Sequence, residues 1–146
     1  MKYDQLIQLY FERSSALQWY WTLYVIVIGG LLAFSTLRVR RDLLTVCLVT
    51  VLYSFFAVKN LGAIHDVTLQ RAATLTAIRL YDANDTSDLA QLKQVRSLLE
   101  PTLVAPDYGG IRLFHLASDG LTLLVFWAME LRRVRYAKEE AHHPAV

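Results

Sequence analysis

The sequence predicts an all-α integral membrane protein with three transmembrane helices, an N-terminal amphipathic helix and an extramembrane helical hairpin. Three observations predict it. Apolar residues make up 55% of the chain against 19% charged, and they gather into blocks. Three of these blocks reach the roughly 20 residues that a helix needs to cross a hydrocarbon core about 30 Å thick. Mean hydropathy is nevertheless only +0.32, so roughly half the chain is expected outside the bilayer.

Residues 1–16 come first. Tyr3, Leu6, Ile7, Tyr10 and Phe11 recur at helical spacing, with Lys2, Asp4, Gln5, Gln8 and Glu12 on the other side. This is one apolar stripe of an amphipathic helix. Its aromatic residues suit the headgroup plane, so an interfacial helix is expected; packing on the extramembrane segment or on a partner is the alternative. The first span, about 19–37, opens on Trp19, Tyr20 and Trp21 and closes against "RVRR", an aromatic belt and a cationic stop. It is too long for a signal-peptide core and has no cleavage site after it.

The second span covers about 43–62, and the absence of Pro and Gly beyond Gly62 lets its helix continue to about Tyr81. "DANDTSD" (82–88) then breaks it, because these side chains compete for backbone hydrogen bonds. A further helix, "LAQLKQVRSLLE", with Leu89, Leu92, Val95 and Leu99 on one side, stops at Pro101. The resulting hairpin is too small to own a core and must bury its apolar face elsewhere. "PTLVAPDYGG" reads as a connecting loop. The third span, about 113–131, is less pure, holding His115, Asp119 and Glu130. Those acids leave a buried helix of a soluble domain open, but "RRVRYAK" after it reads as a membrane stop. The expected organisation is one membrane domain over 1–146, with 63–110 an extracytoplasmic hairpin and loop and 137–146 a flexible cytoplasmic tail.

Orientation follows from where Arg and Lys concentrate. Arg38, Arg40 and Arg41 follow the first span, and Arg132, Arg133, Arg135 and Lys138 follow the third. Between 63 and 110, Arg71, Arg79, Lys93 and Arg96 are diluted among six acids. The dense side is expected in the cytoplasm, which puts the N-terminus outside and the C-terminus inside, in a plasma (inner) membrane. A net charge of +2, explained by the span ends, gives no nucleic-acid footprint. The lone Cys47 lies in an apolar stretch and allows no intrachain disulfide.

The chemistry concentrates in one polar cluster: Lys59 and Asn60 near the end of the second span, His115 and Asp119 in the third. With a rise of about 1.5 Å per residue, Lys59 and His115 lie at similar depth and Asp119 about one turn deeper. Side chains lean toward their helix N-termini, so Lys59 and Asp119, on antiparallel helices, lean toward each other. A Lys59–Asp119 ion pair is expected from this. The alternative has Lys59 reaching the outer headgroups while Asp119 is protonated or bonded to Ser118 or backbone. His115 and Asp119 are i, i+4 and share a face, so the carboxylate can orient the imidazole. His65 and Asp66 lie at the periphery of the cluster. A metal needs at least three converging ligands and the spacing guarantees two, so neither metal nor cofactor is expected. Haem between His65 and His115 is disfavoured by their depths, and "HHPAV" reads as tail.

No catalytic motif for a nucleophile, nucleotide or metalloprotease site is present. The leading expectation is a small non-enzymatic integral membrane subunit that self-associates or belongs to a larger membrane complex, with the lipid bilayer as its surroundings. Gly29 and Gly30 offer a point where a helix could pack closely. Two alternatives stay open: an oligomeric ion or proton pathway lined by Asp119, Lys59 and His115, and a membrane enzyme acting on a lipid or quinone-like molecule at the outer interface.

Overall fold

A computed structural model describes residues 2–38, 42–81, 89–105 and 107–142, with the side chains of 89–92 and 137–142 outside that description. Four α-helices are present, α1 (Tyr3–Leu37), α2 (Leu43–Arg79), α3 (Leu89–Leu99) and α4 (Tyr108–His142), with a 3-10 turn at Glu100–Thr102 after α3. No strand occurs among the described residues. Three helices, α1, α2 and α4, are long and apolar enough to cross a membrane.

The expected amphipathic helix and first span are one unbroken helix, because nothing between Tyr3 and Leu37 is Pro or an early Gly. One buried series in it recurs every seven residues, at Tyr3, Tyr10, Leu17, Tyr24 and Leu31, with Leu6 and Ser35 buried beside it. In α2 the same interval links Val46, Tyr53, Asn60, Val67 and Thr74. Such a repeat keeps one narrow stripe facing a neighbouring helix. Asp42 starts α2 as a side-chain cap: its Oδ1 accepts from the N–H of Leu44 at 3.0 Å and of Thr45 at 3.3 Å. Its other oxygen takes the Thr45 hydroxyl. Two of the four orphan donors of the helix start are thereby satisfied.

The chain divides into two compact units. One comprises Met1–Tyr20 and Ala63–Tyr108. Its core joins Tyr3, Leu6 and Tyr10 of α1 to Leu75 and Ile78 of α2 and to Leu103. Tyr3, Leu6 and Tyr10 of the apolar stripe of residues 1–16 thus pack within the chain, the alternative considered for it, while Phe11 of the same stripe is exposed. Arg96 ties the unit together. It donates to the carbonyls of Tyr81 at 2.8 Å and Ile78 at 3.4 Å at the end of α2, where the Ile78 carbonyl also takes the Tyr81 N–H at 3.3 Å, and it pairs with Glu100 at 2.7 Å. Burial pushes the Tyr3 phenol above its ordinary value, so it stays a donor to Glu100, 3.4 Å away. Arg71 lies over the Tyr10 ring and donates to the Tyr10 hydroxyl at 2.6 Å. Val95 of α3 is exposed, contrary to its expected place on a buried side.

The second unit comprises Trp21–Gly62 and Gly109–Val146. Leu31, Val46, Tyr53, Ala57 and Phe126 form its apolar core. A Cβ at Gly29 or Gly30 would meet nothing within 4 Å, so among the described residues no helix of this chain approaches the pair closely. The helix α4 begins before the expected third span and continues to His142, past the start of the expected tail. The expected breaker at 82–88, Arg40, Arg41 and the residues from His143 onward lie outside the described residues.

Candidate functional site: a buried carboxylate–imidazole cluster

The second unit gathers its polar side chains inward. His115 on α4 is fully buried. Its Nδ1 lies 2.8 Å from Oδ2 of Asp119 one turn along the same helix, and its Nε2 lies 3.3 Å from Nδ2 of Asn60 on α2. The other Asp119 oxygen, Oδ1, accepts two phenol hydroxyls, from Tyr24 of α1 at 2.9 Å and from Tyr53 of α2 at 2.7 Å. The Tyr24 ring lies against the imidazole with centroids 4.1 Å apart, and Trp21 adds a second aromatic wall.

The donors and acceptors fix a consistent pattern. Asp119 as a carboxylate is acceptor-only and here takes three donors. Nδ1 then carries the His115 proton, which leaves Nε2 as the acceptor for the Asn60 amide N–H. The neighbouring Asn60 oxygen, Oδ1, is buried and has no hydrogen-bond partner. Three helices therefore meet on one carboxylate through hydrogen bonds to a charged group, each worth about 1.5–3 kcal/mol.

The expected i, i+4 pairing of His115 with Asp119 is present, and Asn60 joins it. Lys59 does not. It is exposed, and among the described residues no ion pair links it to Asp119, whose carboxylate is instead held by Tyr24, Tyr53 and His115. The reason is helical phase: Asn60 lies on the inward seven-residue stripe, and its neighbour is rotated by about 100°. Depth alone brought Lys59 to the right level on the wrong face. His65 and Asp66 belong to the first unit, where the His65 ring packs on Tyr108 at 4.6 Å and its Nδ1 lies 3.4 Å from Asp66. Both are partly or fully solvent-facing.

Tyr24 and Tyr53 escape the sequence reading because each sits in an apolar run and counts there as bulk. The signal was nonetheless present, since a phenol hydroxyl deep in an apolar helix needs an acceptor. A second polar set was also missed. Glu130, 2% exposed, takes Arg38 at 2.8 Å and Arg133 at 3.2 Å, and Arg133 also donates to the Ser35 carbonyl. Arginines read only as a membrane stop thus also hold the end of α1 against α4 within the second unit.

Chemically the cluster is a hydrogen-bonded network whose polar atoms face one another. Beside it, an apolar crevice of about 360 Å³ is lined by Val27, Leu31, Phe34, Val49, Leu52, Tyr53 and Phe56. The Tyr53 hydroxyl is turned to Asp119. Among the described residues no third His, Cys, Asp or Glu joins His115 and Asp119 in a metal-sized group. Comparison with protein-family models, with curated proteins and with solved structures finds no match for this chain.

Proposed function

We propose that this chain is a small non-enzymatic integral membrane subunit that crosses a plasma (inner) membrane three times, N-terminus outside, and that self-associates or joins a larger membrane complex. The observation that carries the reading is the inverted distribution of polarity in the second unit. Asn60, His115, Thr122 and Glu130 are buried, whereas Val25, Ile26, Leu44, Leu48, Phe55 and Val58 are exposed. Water would penalise that outer surface at roughly 25 cal/mol per Å², while lipid or a neighbouring helix accepts it.

A subunit role is supported by how little the chain covers itself. Only 17%, 22% and 17% of the most apolar windows of the three long helices are buried. The non-enzymatic reading rests on the cluster's internal satisfaction: Asp119 spends both oxygens on Tyr24, Tyr53 and His115, and His115 spends both ring nitrogens on Asp119 and Asn60. No base or nucleophile of this cluster is left aimed at the apolar crevice. Purification in mild detergent followed by mass measurement in lipid nanodiscs tests the proposal. A homo-oligomer or a stable complex with other membrane subunits is expected. Recovery of the chain in the soluble fraction, or a monodisperse monomer without partner in detergent and nanodiscs alike, would overturn it.

A further inference from the structure

We propose that the groove at the end of the third span, lined by Met129, Arg132, Arg133 and Tyr136, seats the phosphodiester of one anionic glycerophospholipid. The groove has a volume of about 200 Å³. It lies where the apolar run of α4 gives way to the basic run "RRVRYAK". The site rests on the reading of the chain as a membrane-spanning subunit, which sets this level among the lipid headgroups. To that reading it adds a ligand and the side chains that hold it.

The two arginines differ in what they already hold. Arg133 is partly buried and gives one nitrogen to Glu130 at 3.2 Å and another to the Ser35 carbonyl, which fixes it against the end of α1 and uses two of its five N–H donors. Arg132 is exposed and, among the described residues, has no ion-pair partner. Its guanidinium lies over the Tyr136 ring, 6.0 Å from the centroid, and reaches the Tyr136 hydroxyl at 3.5 Å. Glu130 does not neutralise it, being 2% exposed and shared by Arg38 and Arg133. No acid lines the groove among the described residues. Guanidinium groups bind phosphate oxygens through paired hydrogen bonds, and the Tyr136 hydroxyl can add another donor. The remainder of the ligand is selected by the apolar surroundings. Met129 forms one wall, and Leu121, Leu124 and Ala128, all exposed, precede Arg132 along one face of α4 at helical intervals. An acyl chain along that stripe belongs to the same molecule as a phosphate at Arg132, whereas a free phosphate would leave the stripe uncovered. A zwitterionic headgroup brings its own cation to a site already in cationic surplus. A net negative one does not.

The test uses the full chain in nanodiscs of phosphatidylcholine mixed with phosphatidylglycerol, ejected in a native mass spectrometer so that retained lipids are counted. Wild type is expected to keep one phosphatidylglycerol well above that lipid's share of the bilayer. Arg132→Gln should lower its occupancy about fivefold, the effect of one cation at an anionic bilayer surface. Arg135→Gln removes an exposed arginine outside the groove and should leave occupancy unchanged. Excess inorganic phosphate should not displace the lipid. Retention that survives Arg132→Gln, or that falls equally in Arg135→Gln, overturns the inference and reduces the basic run to diffuse charge. Displacement by inorganic phosphate overturns the lipid as occupant. A chain that never enters the nanodiscs overturns the subunit reading and the site with it, whereas one that embeds and assembles but keeps no phosphatidylglycerol overturns the site alone.

Discussion

Asp119 is one of the most heavily used side chains in the second unit, since α1, α2 and α4 all reach it. Each tyrosine hydroxyl on Oδ1 offers a hydrogen bond to a charged acceptor, worth about 1.5–3 kcal/mol. Tyr24→Phe and Tyr53→Phe keep the ring packing and remove the bond to Oδ1, Tyr24→Phe also removing the weaker contact of its hydroxyl with the His115 carbonyl at 3.3 Å. Each is expected to lower stability by about 1–2 kcal/mol, measured by thermal unfolding in nanodiscs. The double substitution should cost more than the sum, because the second loss strips Oδ1 of its remaining donor; strict additivity would show that the two hydroxyls do not share the oxygen. At this scale the sequence was half legible. His115 and Asp119 share a face by spacing alone, and their contact follows from it. Lys59 misleads because charge draws attention and phase does not. Asn60, next to it and neutral, holds the position facing His115.

The elements show why phase was available. The seven-residue intervals Tyr3, Tyr10, Leu17, Tyr24, Leu31 and Val46, Tyr53, Asn60, Val67, Thr74 are present in the sequence itself, and they separate Asn60 from Lys59. Windows chosen to detect spans obscure them, since every residue of a span is apolar enough to count. The start of α2 and the end of α1 were legible, at Leu43 and Leu37, because the Arg-rich connection bounds both apolar runs. The length of α4 was not: a cationic stop marks where the bilayer is expected to end, and Arg and Lys are good helix formers that continue the helix. Asp42 gives a prediction of its own. The Thr45 hydroxyl, then the N–H groups of Thr45 and Leu44, hold its carboxyl below the usual range. A depressed carboxyl contributes stability that is present above the unfolded value, about 4, and is lost as the pH falls through the folded value. Amide exchange in the first turn of α2 should therefore quicken below about pH 4. Asp42→Asn should keep the cap and abolish that pH dependence, while Asp42→Ala should quicken exchange at all pH. Equal exchange in wild type and Asp42→Ala would remove the cap from the account.

For the whole molecule, an odd number of crossings forces the termini to opposite sides of a membrane, so one measurement at each end fixes the topology. The reading rests on Arg and Lys near the span ends, because the translocation of short loops responds to these cations and little to acids. Glu130 sharpens the argument. It engages Arg38 and Arg133, yet two guanidiniums on one carboxylate leave this end of the second unit net cationic, so the pairing does not cancel the bias. By contrast, 63–110 carries four Arg and Lys among six acids, and Arg96 among them is paired with Glu100, so this segment has no cationic surplus. In a background with Cys47 replaced, Ser97→Cys should react with a membrane-impermeant maleimide added to intact cells. Tyr136→Cys should react only after the membrane is opened. Both positions are exposed on the protein, so a difference in labelling reports the membrane and not burial. The reverse pattern would invert the orientation while leaving three crossings; labelling of both in intact cells would break the three-span reading itself.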